Sequence, residues 1–160
     1  MNAAGEFVPQ LIIFPRVHMK AELANGAPPG SIFACHKSGR LQSHVFGEWF
    51  HHFIKHTTPT ADHSVLLILD GHSIYTNSLI LIELARTNHV IIICLPPHTI
   101  HRLQSLDVSY MKPLNTYTDQ VITKWLRNYP SRVITQFQLA EIFSEAYIKG
   151  KKVNCFVAYT

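Results

Sequence analysis

The 160-residue chain has little cysteine and no long apolar stretch, and each shortage excludes a class of protein. Its three cysteines, Cys35, Cys94 and Cys155, are odd in number and form no CxxC pair. A disulfide framework or a cysteine-based zinc site is therefore not expected, and a reducing compartment fits best. No segment reaches the roughly 18 consecutive apolar residues of a membrane-spanning helix, so no membrane partner is expected. The first residues lack the basic and then apolar pattern of a signal peptide.

Charge is also scarce. Charged residues make up 15% of the chain and apolar residues 47%, which is typical of a folded globular domain and not of a disordered segment. The length suffices for one domain with a hydrophobic core. The formal net charge of +4 permits binding to nucleic acid through its phosphates without establishing it.

The spacing of apolar residues predicts an α/β chain. Strands are predicted over residues 7–14, 65–69 and 90–95. Helices are predicted over residues 43–54, 77–86, 106–127 and 135–149, and the third of these helices is expected to bend at Pro113. The second and third strands are short continuous apolar runs, which are typical of strands covered on both faces. The strand–helix–strand order of residues 65–95 predicts two parallel strands joined by a right-handed crossover.

Two aspartates stand where an open α/β sheet binds its ligands. Asp70 directly follows the strand 65–69, and Asp107 follows the strand 90–95 at the start of the next predicted helix. Because the carboxyl ends of parallel strands meet at one edge, both carboxylates can reach one site. Oxygen ligands suit a hard divalent ion such as Mg²⁺, and such ions support phosphodiester cleavage. Alternatively, Asp70 belongs only to an Asp-Gly turn and Asp107 only caps a helix.

Other polar residues near the two aspartates leave several interpretations open. His72, His98 and His101 could position a phosphate, orient a carboxylate or stabilise a loop by hydrogen bonds. Together with Asp70 they could also bind zinc or iron, although no HExxH motif or cysteine ligand supports that interpretation. Arg102 could contact a phosphate or remain a solvated loop residue. No nucleophile-elbow pattern accompanies the serines, so a serine hydrolase is not supported.

Two segments carry a family resemblance. Residues 69–73, LDGHS, resemble the LDGHxSH signature of the pogo/Tigger/jerky-like branch of the DDE transposase superfamily. Residues 95–108, LPPHTIHRLQSLDV, resemble the LPPHTTHxLQPLDV signature of the same branch. Tyr75 and Ser105 depart from that pattern, but neither removes a carboxylate. The resemblance runs from Asn2 to the C-terminus.

The resemblance implies the fold, chemistry and location of the chain. It implies a ribonuclease H-like α/β fold, a mixed sheet flanked by helices, with Asp70 and Asp107 as catalytic residues that bind Mg²⁺ or Mn²⁺. The implied substrate is DNA and the implied location is the nucleus. The family uses three carboxylates, and the first lies on a strand expected upstream of residue 1. We therefore expect residues 1–160 to be a partial DDE-type endonuclease domain without that strand, its aspartate or a helix-turn-helix domain.

Three functional hypotheses follow from this resemblance. The first is metal-dependent DNA strand cleavage and transfer, impaired or lost in this chain because the first aspartate is absent. The second is a domesticated, non-catalytic domain that binds DNA or protein, and the third is a transposon remnant without function. The missing strand predicts an exposed sheet edge, which a second copy of the chain or another protein would cover.

Overall fold

The computed structural model describes residue 2 and residues 5–69, 78–95 and 110–157, with side chains of the last helix through Lys151. Within these ranges the chain is mixed α/β, with short strands and four α-helices. The elements in chain order are β1 (Leu11–Phe14), a 3-10 helix (Ala21–Ala24), β2 (Ile32–Cys35), α1 (Ser43–Thr57), β3 (Val65–Leu69), α2 (Leu79–Thr87), β4 (Val90–Cys94), α3 (Lys112–Asn128) and α4 (Gln136–Val157). They fall into two compact units, Met1–Arg40 with Ser105–Thr160, and Leu41–Gln104.

The first unit contains the parallel pair β1 and β2, in register from Leu11 opposite Ile32 to Phe14 opposite Cys35. The sequence predicts a strand over residues 7–14, but only its second half joins the ladder. Pro9 has no N–H to donate to a ladder. Phe7 instead packs on aromatic rings, with its centroid 4.9 Å from that of Tyr110. The strand prediction is therefore too long at its start.

Helices α3 and α4 pack against each other and supply most of the core of the first unit. One buried cluster contains Tyr110, Leu114, Val121, Ile142, Ala146 and Tyr147, and a second contains Phe14, Leu23 and Ala140. Pro113 lies in the first turn of α3, where a missing N–H costs no helical hydrogen bond. The predicted start of this helix at residue 106 lies outside the described residues, so the bend at Pro113 stays a prediction. α4 continues to Val157, beyond its predicted end at residue 149, because Gly150 does not take the left-handed conformation of a capping glycine and the helix runs through it.

The second unit contains the strand–helix–strand segment that the sequence predicts. β3 and β4 are parallel and in register from Val65 opposite Val90 to Leu69 opposite Cys94, and α2 connects them. The Ser78 hydroxyl caps α2 by accepting a hydrogen bond from the Leu81 N–H at 3.3 Å. The predicted cap, Asn77, lies outside the described residues. In the described ranges both strand pairs are parallel, so a mixed sheet stays a prediction.

One face of the β3–β4 pair is exposed, which corrects the prediction that both faces are covered. Leu66 and Ile68 of β3 are 52% and 56% exposed, and their partners Ile91 and Ile93 are 56% and 45% exposed. We call these four side chains the open sheet face. α2 packs against β4 and buries Val90 instead. A run of apolar residues predicts a strand that is apolar on both faces. It does not predict whether other parts of the chain pack against both of those faces.

Helix α1 buries the face that its apolar spacing predicts. Val45, Phe46, Phe50 and Phe53 are buried, and Phe50 is fully enclosed. Gln42 occupies the N-cap position without a side-chain cap, so Ser43 belongs to the first turn and is not the predicted cap. None of the helices in the described ranges has the length and apolar character needed to cross a membrane.

Candidate functional site

The parallel strands β3 and β4 bring the starts of the two signature segments to one edge. Leu69 ends β3 opposite Cys94, and the Leu95 N–H donates a 2.8 Å hydrogen bond to the Leu69 carbonyl oxygen. Asp70 is the next residue after Leu69 in the chain, and the segment that carries Asp107 begins directly after Leu95. Both segments therefore leave the carboxyl edge of the same sheet, where open α/β sheets bind ligands.

The predicted site residues themselves lie in residues 70–77 and 96–109, outside the described part of the chain. They are Asp70, His72, His98, His101, Arg102 and Asp107. Their grouping around one metal ion or phosphate stays a prediction from the sequence. The structure describes the residues that come directly before and after residues 70–77 and residues 96–109.

The donor chemistry at this edge fits a hard divalent ion. Both Asp70 and Asp107 offer carboxylate oxygens, the ligands that Mg²⁺ and Mn²⁺ prefer. Within the described ranges, no group of three or more His, Cys, Asp or Glu side chains could hold a metal ion.

Beyond the second signature segment, the described chain resumes at a buried tyrosine. Tyr110 is 6% exposed and packs between aromatic rings, 4.9 Å from Phe7 and 6.4 Å from Tyr147 between centroids. Burial, and then the neighbouring Tyr147, raises the pKa of the Tyr110 hydroxyl above its ordinary value. Tyr110 thus anchors the chain three residues after Asp107. Sequence reasoning missed this anchor, although its spacing of four residues to Leu114 was a usable helical signal.

Two open grooves lie elsewhere on the described surface, with volumes of about 580 and 550 Å³. The larger follows α3 and is lined by Thr116, Asp119, Gln120, Thr123, Lys124, Arg127 and Asn128. It contains one carboxylate between hydroxyls, amides and cations. The smaller lies beside α2 and β4, and its described lining contains no carboxylate. Neither described lining offers a set of metal ligands.

An α/β chain in which two aspartate-bearing segments leave one sheet edge has a layout typical of a metal-dependent nuclease domain. Comparison with known proteins agrees with that layout. The chain belongs to the DDE superfamily endonucleases, whose family model matches residues 1–148. The predicted superfamily is thereby confirmed.

A curated relative adds a second comparison. The chain is 30% identical over 149 residues to a protein from Cochliobolus lunatus described as MFS-type transporter clz9. The match covers 92% of this chain and 16% of that relative, so the chain spans about a sixth of the relative's length. No solved structure matches the chain.

Proposed function

We propose that the chain is part of the catalytic domain of a pogo/Tigger/jerky-like transposase with a ribonuclease H-like fold, acting on DNA in the nucleus. The observation that carries this proposal is the pairing of Leu69 with Cys94, which starts both signature segments at one sheet edge. The family match over residues 1–148 supports the nuclease class. The two signature segments support the branch within it.

Asp70 and Asp107 are the proposed metal ligands and catalytic residues. A bound Mg²⁺ or Mn²⁺ would supply activation of water and neutralisation of charge on the leaving oxygen. The overall reaction is hydrolysis of a phosphodiester that leaves a 3′-hydroxyl, followed by attack of that hydroxyl on target DNA. The proposed part of His72, His98, His101 and Arg102 is to hold the phosphate or to orient the carboxylates.

We further propose that the 160-residue chain, assayed by itself, is a poor or inactive nuclease. The family uses three carboxylates, and only Asp70 and Asp107 in this chain lie in matching motifs. Glu6, Glu22 and Glu48 lie in no matching motif. Loss of one oxygen ligand weakens both the affinity for the metal and the geometry that aligns water with the phosphorus atom.

A nicking assay on supercoiled plasmid tests this function. With Mg²⁺ or Mn²⁺ we expect slow nicking at most, abolished in both Asp70→Ala and Asp107→Ala. Asp62→Ala and Asp119→Ala are matched controls, because these exposed aspartates lie outside the two motifs. Nicking that persists in both Asp70→Ala and Asp107→Ala would contradict the proposed catalytic role.

A second candidate function is a non-catalytic DNA- or protein-binding domain, and the open sheet face favours it. Leu66, Ile68, Ile91 and Ile93 form an uncharged apolar surface, and in the described ranges each of the two strands has one neighbour. Such faces and edges mark association sites. We propose a second copy of the chain as the occupant, since an uncharged apolar face is complementary to itself. A transposon remnant without function would show neither DNA binding nor specific self-association.

A further inference from the structure

We propose that the corner between α3 and α4 is a binding surface for the sugar–phosphate backbone of DNA. This proposal rests on the proposed function, because it names a contact surface for the same substrate. The surface consists of the stacked side chains of Trp125, Tyr129 and Arg132 together with Arg127 in the last turn of α3, beside the groove along that helix, and we call it the arginine–aromatic corner. None of these residues belongs to the two signature segments.

The corner is built by a tight turn. The Tyr129 N–H donates to the Trp125 carbonyl oxygen at 3.0 Å as α3 ends, and the Arg132 N–H donates to the Tyr129 carbonyl oxygen at 3.2 Å. Ser131 takes a left-handed conformation with φ of 70°, which turns the chain back beneath Tyr129. The turn therefore brings the side chain of Arg132 back to Tyr129 at the end of α3.

Aromatic contacts order the corner. The rings of Trp125 and Tyr129 lie 4.8 Å apart between centroids, and the Arg132 guanidinium carbon lies 5.5 Å from the centre of the Tyr129 ring. Tyr129 is 44% exposed, and Arg132 is also exposed. A guanidinium stacked on a ring keeps the N–H donors at its edge free for hydrogen bonds. The stacking also orders the arginine side chain before DNA binds, so binding costs less conformational entropy.

Between Asp119 and Glu141, the sequence that forms the corner carries positive charges only. Residues 120–140 contain Lys124, Arg127 and Arg132 and no Asp or Glu. Glu145 holds Lys124 at 3.0 Å, and it holds Lys149 at the same distance. Across the described residues, neither Arg127 nor Arg132 forms an ion pair with a carboxylate. The two guanidinium groups are therefore available to an external anion.

The chemistry of these groups selects a phosphodiester backbone. Two exposed guanidinium groups suit phosphate oxygens because of their paired donors, and an exposed aromatic ring suits a stacked base or sugar. Arg127 also lines the end of the groove along α3, where Gln120, Thr123 and Asn128 add neutral hydrogen-bonding groups. A DNA strand bound at the corner can continue into this groove. Asp119 lies at the opposite end of the groove.

Fluorescence anisotropy with labelled DNA tests the proposal. The full chain is titrated, without divalent metal, against a single strand and a duplex at several salt concentrations. Arg127→Gln with Arg132→Gln should weaken binding about tenfold or more at about 50 mM salt and reduce the salt slope by about 2. The matched control is Arg40→Gln with Arg86→Gln, which removes two exposed arginines elsewhere and should weaken binding much less. Tyr129→Ala should weaken single-strand binding more than duplex binding.

The outcomes separate this surface from the catalytic proposal. Wild-type affinity in the Arg127 and Arg132 double variant, or equal weakening in the control, would overturn the corner while leaving metal-dependent nicking intact. No binding of either DNA by the wild-type chain would also overturn it. Binding that depends on the two arginines, in a chain that does not nick plasmid, would support the corner and agree with the proposed loss of catalysis in this chain. Thermal unfolding of each variant checks that the lost affinity does not reflect lost folding.

Discussion

The Leu95 N–H donates a hydrogen bond of 2.8 Å to the Leu69 carbonyl oxygen, one residue before Asp70. This bond closes the β3–β4 ladder at its carboxyl end, so the two signature segments leave the sheet side by side. In an open α/β sheet that edge is where ligands bind. The same bond makes the path from Leu95 to Asp107 start beside Leu69, the residue before Asp70, although the two aspartates are far apart in the sequence.

Substitution of two glycines should change stability in opposite directions. Gly26 has a φ of +74°, and an added Cβ would lie 2.9 Å from the Glu141 Cβ and 3.1 Å from its Cα. Gly26→Ala should therefore lower the free energy of unfolding by about 1–3 kcal/mol. Gly47 in α1 has no atom within 4 Å of its added Cβ, so Gly47→Ala should raise it by about 0.5–1 kcal/mol. Urea unfolding measures both, and equal losses would contradict the assigned conformations.

Removal of the Tyr110 hydroxyl should change the alkaline limit of stability. Burial raises the pKa of Tyr110 in the folded chain, whereas in the unfolded chain the group ionises near its ordinary value of about 10. The stabilisation is therefore complete below pH about 10 and is lost as pH rises toward the folded-state pKa. Within the described residues this hydroxyl has no hydrogen-bond partner, so Tyr110→Phe should cost little at neutral pH. Unfolding free energies between about pH 8 and 11 should decline less steeply in the variant; an unchanged decline would contradict this account.

The ion pairs of Glu145 should contribute little to the free energy of unfolding, and they should contribute only above acidic pH. Hydrogen bonds from Lys124 and then Lys149 lower the pKa of Glu145 in the folded chain. This stabilisation is present above the ordinary pKa of about 4.3 and is lost as pH falls through the lower folded-state value. Because the pairs are exposed, Glu145→Gln should cost no more than about 1 kcal/mol at neutral pH, and less in high salt. Glu48→Gln is the control, and a larger loss in the control would contradict the assignment.

The open sheet face should drive self-association. The chain is expected to form dimers or larger species, because Leu66, Ile68, Ile91 and Ile93 expose one continuous apolar surface. Ile68→Lys should shift the population toward monomer, whereas Ile80→Lys on the exposed side of α2 should not. Size-exclusion chromatography with light scattering measures the mass. A monodisperse wild-type monomer with a sharp thermal transition would contradict this prediction.

The sequence predicted the helices and strands of the fold better than it predicted which of their faces are buried. The apolar runs at residues 65–69 and 90–95 predicted β3, β4 and their parallel pairing, because a helical connection of that length allows little else. The same runs did not reveal the open sheet face, since an apolar residue does not specify its neighbour. Helix α1 was predicted from its spacing, but the contacts of Tyr129 with Arg132 depend on a left-handed residue in the turn, which Ser131 does not signal.

The candidate site was predicted mainly from its motifs. The signature segments at residues 69–73 and 95–108 predicted the superfamily, and the family match confirmed it. Physical reasoning on Asp70 and Asp107 alone left a turn and a helix cap open as alternatives. Parallel pairing up to Leu69 and Cys94 adds the shared edge on which a common metal site depends.

Titration of the 160-residue chain with Mn²⁺, followed by the electron paramagnetic resonance of the free ion, tests the central claim most directly. The account predicts saturable Mn²⁺ binding that is lost in Asp70→Asn and in Asp107→Asn, because each variant replaces a charged carboxylate ligand of the shared site by a neutral amide. Asp62→Asn and Asp119→Asn should bind Mn²⁺ as the wild-type chain does. Equal Mn²⁺ binding by all five proteins, or no binding by the wild-type chain, would contradict a metal site held by Asp70 and Asp107.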